Sequence, residues 1–109
     1  HITGDGFLNL TRVSSDVSFL IDRLPSPPAI FSLIQNYGNI QEKDMFRMYN
    51  MGIGFCMVVP DHEAEKTMSL ARTFQKQAYQ IGHIVSDGRK EVRIPSKNLR
   101  GHGKHFFEI

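Results

Sequence analysis

Met51 to Val59 is an almost unbroken apolar run, interrupted only by Gly52 and Gly54. Length and content predict a central strand buried on both faces. Helical patterns surround it. Ile30, Leu33, Ile34 and Tyr37 repeat at helical spacing after Pro25-Ser26-Pro27-Pro28, and Gly38 is placed to cap that helix. Asn39 and Glu42 have capping-box spacing for a second helix reaching about Tyr49, with Met45 and Met48 facing inward. Asp61 is a candidate N-cap for the longest helix, whose inward stripe is Ala64, Met68, Ala71, Phe74 and Ala78. Gly6 to Arg12 reads as a short helix, and Val17, Phe19 and Ile21 alternate as a half-buried strand. Ala78 to Val85 reads as a strand, joined through an Asp87-Gly88 hairpin turn to Glu91–Ile94. Helices packed on a mixed sheet make an α+β domain.

The chain has 109 residues, 40% of them hydrophobic and 22% charged, with a formal net charge of +2. That suits one globular domain burying about two-thirds of its unfolded surface. No apolar run reaches the roughly 18 residues that cross a membrane. The single cysteine, Cys56, has no intrachain partner and reads as a small core residue in a reduced, cytoplasmic setting. Charge is unevenly spread: residues 89–109 hold six of the 13 Lys and Arg but only two acids. This basic stretch reads as a solvated terminus, with an acidic partner or RNA as the alternative. His102 and His105 have metal-like spacing, but two histidines beside glycines make no zinc site.

Two glycine-rich turns carry the chemistry: His1-Ile2-Thr3-Gly4-Asp5-Gly6 and Asn50-Met51-Gly52-Ile53-Gly54. Glycine lets backbone N–H groups approach an anion closely and permits positive φ. Gly4 and Gly6 stand where backbone donors would meet a phosphate at the start of a short helix. Asn9, Arg12 and Arg47 are weaker phosphate contacts, the arginines being equally able to pair with Asp16, Asp22 or Asp44. Asp5 beside a phosphate must point away or meet Mg²⁺; an Asp-Gly turn is the plainer explanation.

The order of these motifs resembles the C-terminal domain of the aminoimidazole ribonucleotide synthetase family, the phosphoribosylformylglycinamidine cyclo-ligases. The family opening His-Ile-Thr-Gly-Gly-Gly is matched by His1 to Gly6, with Asp5 replacing one glycine. Asn-x-x-Arg-Val is matched by Asn9 to Val13, Ile-Phe-x-x-Ile-Gln-x-x-Gly by Ile30 to Gly38, and Met-x-Arg-x-x-Asn-Met-Gly-Ile-Gly by Met45 to Gly54. Val58-Val59-Pro60 and Ile81-Gly82 complete the series. The resemblance covers residues 1–94 and leaves 95–109 as a basic tail matching nothing. It implies α/β/α layers, partly similar to a ferredoxin-like fold. It also implies an ATP-binding domain ahead of His1, so that this chain by itself is folded but inactive.

The implied activity is ATP-dependent ring closure of formylglycinamidine ribonucleotide to aminoimidazole ribonucleotide, in purine biosynthesis. ATP and Mg²⁺ are the expected cofactors, and a homodimer formed through the upstream domain is the expected assembly. Neither a membrane nor a nucleic acid is an expected partner. The resemblance makes His1 and Asn50 the catalytic candidates, His1 facing the cleft between domains. Gly4, Gly6, Asn9, Arg12, Arg47, Gly52 and Gly54 become the substrate- and phosphate-binding candidates. Two alternatives remain open. One is another member of the same superfamily: an amidotransferase subunit, a selenophosphate or thiamine-phosphate kinase relative, or a hydrogenase-maturation protein. The other is a non-enzymatic module gripping RNA or an acidic protein through Arg89 to His105.

Overall fold

A computed structural model describes residues 1–109. Five short strands form one mixed sheet: β1 (Ser18–Leu20), β2 (His83–Val85), β3 (Val92–Ile94), β4 (Leu99–His102) and β5 (His105–Glu108). Their order is β2-β1-β3-β4-β5. β1 runs antiparallel to β2 and parallel to β3, while β3–β4 and β4–β5 are antiparallel. Three helices, α1 (Ala29–Gly38), α2 (Glu42–Met48) and α3 (Ala64–Thr73), complete an α+β domain. None is long and apolar enough to cross a membrane.

Alternation assigns the two faces of the sheet. Phe19, Ile21, Val92, Ile94, Leu99 and Phe106 are buried on one side, beneath Phe7 and Leu8 of the 3-10 turn Gly6–Arg12 and Met45 and Phe46 of α2. Phe7, Met45, Phe46, Val92 and Ile94 have no exposed surface, and the rings of Phe7 and Phe46 sit 5.7 Å apart. Gly101 makes room in this layer. A Cβ there would lie 2.7 Å from both Leu8 Cδ2 and Phe106 Cε1.

The opposite face is polar and knots the strands together. Ser18 Oγ donates to Asp87 Oδ1 at 2.7 Å and accepts the Glu91 N–H at 3.1 Å. Arg93 bridges Asp87 and Glu91, its Nε donating to Glu91 Oε2 at 2.9 Å. Asp87 also accepts the Arg89 N–H at 3.0 Å. The Ser18 hydroxyl, the Arg89 amide and the Arg93 guanidinium together hold the Asp87 carboxyl well below the usual carboxylate range.

Several local expectations are corrected. Met51–Val59 is not a central strand: Phe55, Met57 and Val58 are exposed. β1 already has a neighbour on each side, so the sheet holds no vacant inner slot for this segment. Its contact with the opening loop is a bond from Ile2 N–H to Gly54 O, 2.9 Å. α3 likewise buries no residue, and Phe74 of its expected stripe is 71% exposed. Asp61 begins a short 3-10 turn and caps nothing with its side chain.

The Asp87-Gly88 turn does not close a hairpin, because β1 lies between β2 and β3. Of the predicted strand from Ala78, His83–Val85 pairs. At the end of α1 the left-handed residue is Asn39 (φ 51°), not Gly38. Ile40 N–H reaches Gln35 O and Asn39 N–H reaches Asn36 O, a Schellman closure. Gly38 instead leaves space for Ile40, whose Cδ1 would stand 2.9 Å from a Cβ. Asn39, spent on this closure, caps no second helix, and α2 starts after Gln41 with no side-chain cap. In α2, Phe46 joins Met45 in the core, while Met48 is half-buried.

Residues 95–109 differ most from the expected solvated terminus. A 3-10 turn (Pro95–Lys97) and left-handed Asn98 lead into β4, and Gly103-Lys104 forms a two-residue hairpin between His102 and His105. Leu99 and Phe106 from this hairpin are core residues.

Three outcomes follow. Phe46→Ala is expected to lower unfolding free energy by about 3–5 kcal/mol, measured by denaturant titration. A chain ending after Pro95 is expected to lose its cooperative unfolding transition, since it forfeits two strands and two core side chains. The third concerns acid. A carboxyl whose folded pKa is depressed adds stability that is present above its unfolded value, about 3.9, and is lost as pH falls toward the folded value. Asp87→Asn is therefore expected to be less stable than the parent at neutral pH yet to lose less stability between about pH 4 and pH 2. Thermal unfolding across that range, with parallel curves for both proteins as the contrary result, is the check.

Candidate functional site

The two glycine turns stand side by side. The Ile2–Gly54 bond joins their backbones, and the His1 ring meets Phe55 edge-on at 5.0 Å. Between this pair and the 3-10 turn lies a concavity of about 270 Å³. His1, Asn9 and Arg12 line it with Leu10, Cys56 and Val58.

Each turn is shaped by its own side chains. Asn9 is buried, and its Oδ1 accepts the Thr3 N–H at 2.6 Å, which folds the opening loop back over the 3-10 turn. Its amide nitrogen Nδ2 is buried without a partner. An unmet buried donor of this kind costs about 1–3 kcal/mol. In the second turn Asn50 Oδ1 accepts the Gly52 N–H at 2.9 Å, and Asn50 O accepts the Ile53 N–H at 2.9 Å. Met51 and Gly52 both have positive φ, 52° and 97°.

Some of the expected anion donors are already committed. Gly6 N–H is bonded to Thr3 O at 2.8 Å, and Gly52 N–H is held by Asn50. Gly6 is glycine for packing: its φ is +55°, and a Cβ would lie 2.1 Å from Phe46 O. A Cβ on Gly52 would lie 2.5 Å from Pro28 Cδ. Gly54 contributes its carbonyl to Ile2. Gly4 faces open space, with nothing within 4 Å of where a Cβ would stand.

The charged candidates divide. Arg12 pairs with Asp5 at 2.6 Å, a partner that sequence reasoning did not assign to it, and both side chains are largely exposed. The Asp5 carboxylate thus faces an arginine. An exposed pair is worth about 0–1 kcal/mol, so a phosphate can draw Arg12 away at little cost. Arg47 pairs with Asp44 at 3.4 Å and, like Asn50, does not line the concavity. Cys56 and Val58 were missed as lining residues, because the apolar run that holds them reads as a buried strand. Burial pushes the Cys56 thiol upward, away from the reactive thiolate. No group of three or more His, Cys, Asp or Glu side chains is placed to hold a metal. What the concavity offers is a displaceable guanidinium and an imidazole beside an exposed backbone turn, a set suited to an anion.

Comparison with known proteins places the sequence in a family. Residues 1–95 match the family model described as AIR synthase related protein, C-terminal domain. A phosphoribosylformylglycinamidine cyclo-ligase of Methanococcus maripaludis strain C6 is 46% identical over 100 residues, covering 92% of this chain and 28% of the relative. The enzyme of the same name from Methanococcus vannielii is 44% identical over 84 residues, covering 77% of this chain and 24% of its own length. That of Staphylococcus carnosus is 46% identical over 88 residues, with 78% and 26% covered. The chain spans about a quarter of the length of these relatives. With the glycine turns, the α+β architecture and the matched residues in agreement, the chain belongs to the family of AIR synthase related proteins, as their C-terminal domain.

Proposed function

We propose that this chain is the C-terminal portion of a phosphoribosylformylglycinamidine cyclo-ligase, which closes the imidazole ring of formylglycinamidine ribonucleotide at the expense of ATP. The observation that carries this reading is the 44–46% identity to proteins of that name, from archaea and a bacterium alike. The geometry supports it, since the residues that line the concavity are suited to an anionic substrate.

In this reading ATP supplies the phosphoryl group that activates an amide oxygen toward attack by a nearby nitrogen. The work of the protein is positioning and charge stabilisation more than covalent chemistry. Arg12 holds the substrate's phosphate, exchanging Asp5 for it, while Asn9 keeps the opening loop in place. His1 donates from its imidazole to the oxygen that gains charge. Asn50 keeps the second turn in shape through Gly52. Mg²⁺ would be held by the ATP phosphates together with one or two carboxylates. Catalysis requires the longer protein, and a cytoplasmic setting fits a soluble biosynthetic enzyme.

The test is ADP release by the full-length protein with and without formylglycinamidine ribonucleotide. Release that depends on that substrate is expected, with kcat lowered about a hundredfold by His1→Ala. Arg12→Ala is expected to raise KM with a smaller effect on kcat. Indifference to the substrate overturns the cyclo-ligase reading in favour of another superfamily member. Normal kinetics in both variants removes the site assignment and leaves the family intact.

A further inference from the structure

The polar face of the sheet carries a second concavity, on the side away from the hydrophobic core. It measures about 450 Å³ and is lined by Arg89, Glu91, Arg100, His102 and Phe107. Strand register builds it. Arg100 stands opposite Phe107 across β4 and β5, and His102 opposite His105. Arg93 lies next to Arg100 across β3 and β4. Four of the five lining residues are polar, yet Phe107 is left half-exposed at its centre row.

The charges do not cancel. Asp87 and Glu91 are engaged by Arg93, while Arg89 makes no ion pair. Arg100 Nε stands 4.0 Å from Glu91 Oε1, which orients the guanidinium without closing on it. Three arginines face two carboxylates, and the hairpin turn adds exposed Lys104 at one end. Lys90 and Lys97 are occupied elsewhere, Lys90 by the Thr11 and Val13 carbonyls and Lys97 by Glu42.

We propose that this face binds a nucleoside phosphate, with Arg89 and Arg100 on the phosphate and Phe107 stacked on the base. A carboxylate-bearing partner satisfies the arginines but leaves the ring of Phe107 in water. An apolar partner covers the ring but strands the arginines. A nucleotide answers both, and stacking on an aromatic ring flanked by cations is a sequence-tolerant mode of holding single strands. The nucleotide is either free or one unit of single-stranded RNA. The site is built from β4 and β5 together with Arg89 and Glu91, and it shares no lining residue with the concavity of the cyclo-ligase reading.

The experiment is fluorescence titration of the protein with a labelled eight-nucleotide oligouridylate, with unlabelled uridine monophosphate and a polyglutamate of similar charge as competitors. Binding is expected to fall with salt on a log–log slope of about −0.7, for the one phosphate that Arg89 and Arg100 neutralise. Phe107→Leu is expected to weaken it about tenfold and Phe107→Tyr to restore it. Arg100→Ala is expected to reduce the salt slope. Equal competition by the monophosphate and the unlabelled oligomer identifies a mononucleotide site, and much weaker competition identifies a single-strand site. Both residues are half-exposed, and unchanged thermal unfolding of the variants separates lost binding from lost structure. No binding, equal displacement by polyglutamate, or full binding by folded Phe107→Leu overturns the proposal.

Discussion

The opening 3-10 turn is wedged between helix α2 and the sheet, and the rest of the core is arranged around it. Two missing Cβ atoms make it possible. Gly6 passes where a Cβ would strike Phe46 O, and Leu8 settles over Gly101. Phe7 and Leu8 enter the core from this turn, which fixes where the turn must lie. Asn9, three residues beyond Gly6, is carried with it, and through Asn9 the loop of His1 and Thr3 is folded back. The candidate site is therefore a by-product of packing: its donors stand on a segment held in place by hydrophobic burial.

This explains why the glycines read so differently in sequence and in structure. Glycine at positions 6 and 52 signals close approach, and a sequence does not say to what. Phosphate and polypeptide backbone make the same demand for a missing side chain. In this fold Phe46 and Pro28 are the near neighbours, and the corresponding N–H groups are bonded internally. Asn9 and Arg12 were visible as polar residues near a turn, but the unpartnered nitrogen of one and the Asp5 partner of the other depend on geometry that composition does not carry.

Elements with local determinants were legible. The helix after the proline run, the second helix reaching about Tyr49 and the Gly6–Arg12 turn all reappear. What failed was pairing. The Met51–Val59 run has every property of an inner strand except a place in the sheet, because β2 and β3 occupy both sides of β1. The basic residues after 89 suggested a solvated end because charge was weighed over the alternation of Leu99, Gly101 and Phe106. A short hairpin with one apolar face is a weak signal, yet it supplies two of the five strands.

The position of β1 has a temporal meaning. Its partners are residues 83–85 and 92–93, so the strand is made long before anything exists for it to pair with. Translation runs at about 5–20 residues per second, which leaves β1 unpartnered on the ribosome for on the order of several seconds. The helices in between depend on local contacts and can form during that wait, but the sheet cannot close until the end of the chain has emerged. The β3–β4–β5 meander is local and suited to form first, with β1 then recruited across a long loop whose closure entropy sets the pace. Nascent-chain survival thus rests on keeping Phe19 and Ile21 from other partners until the last strands arrive.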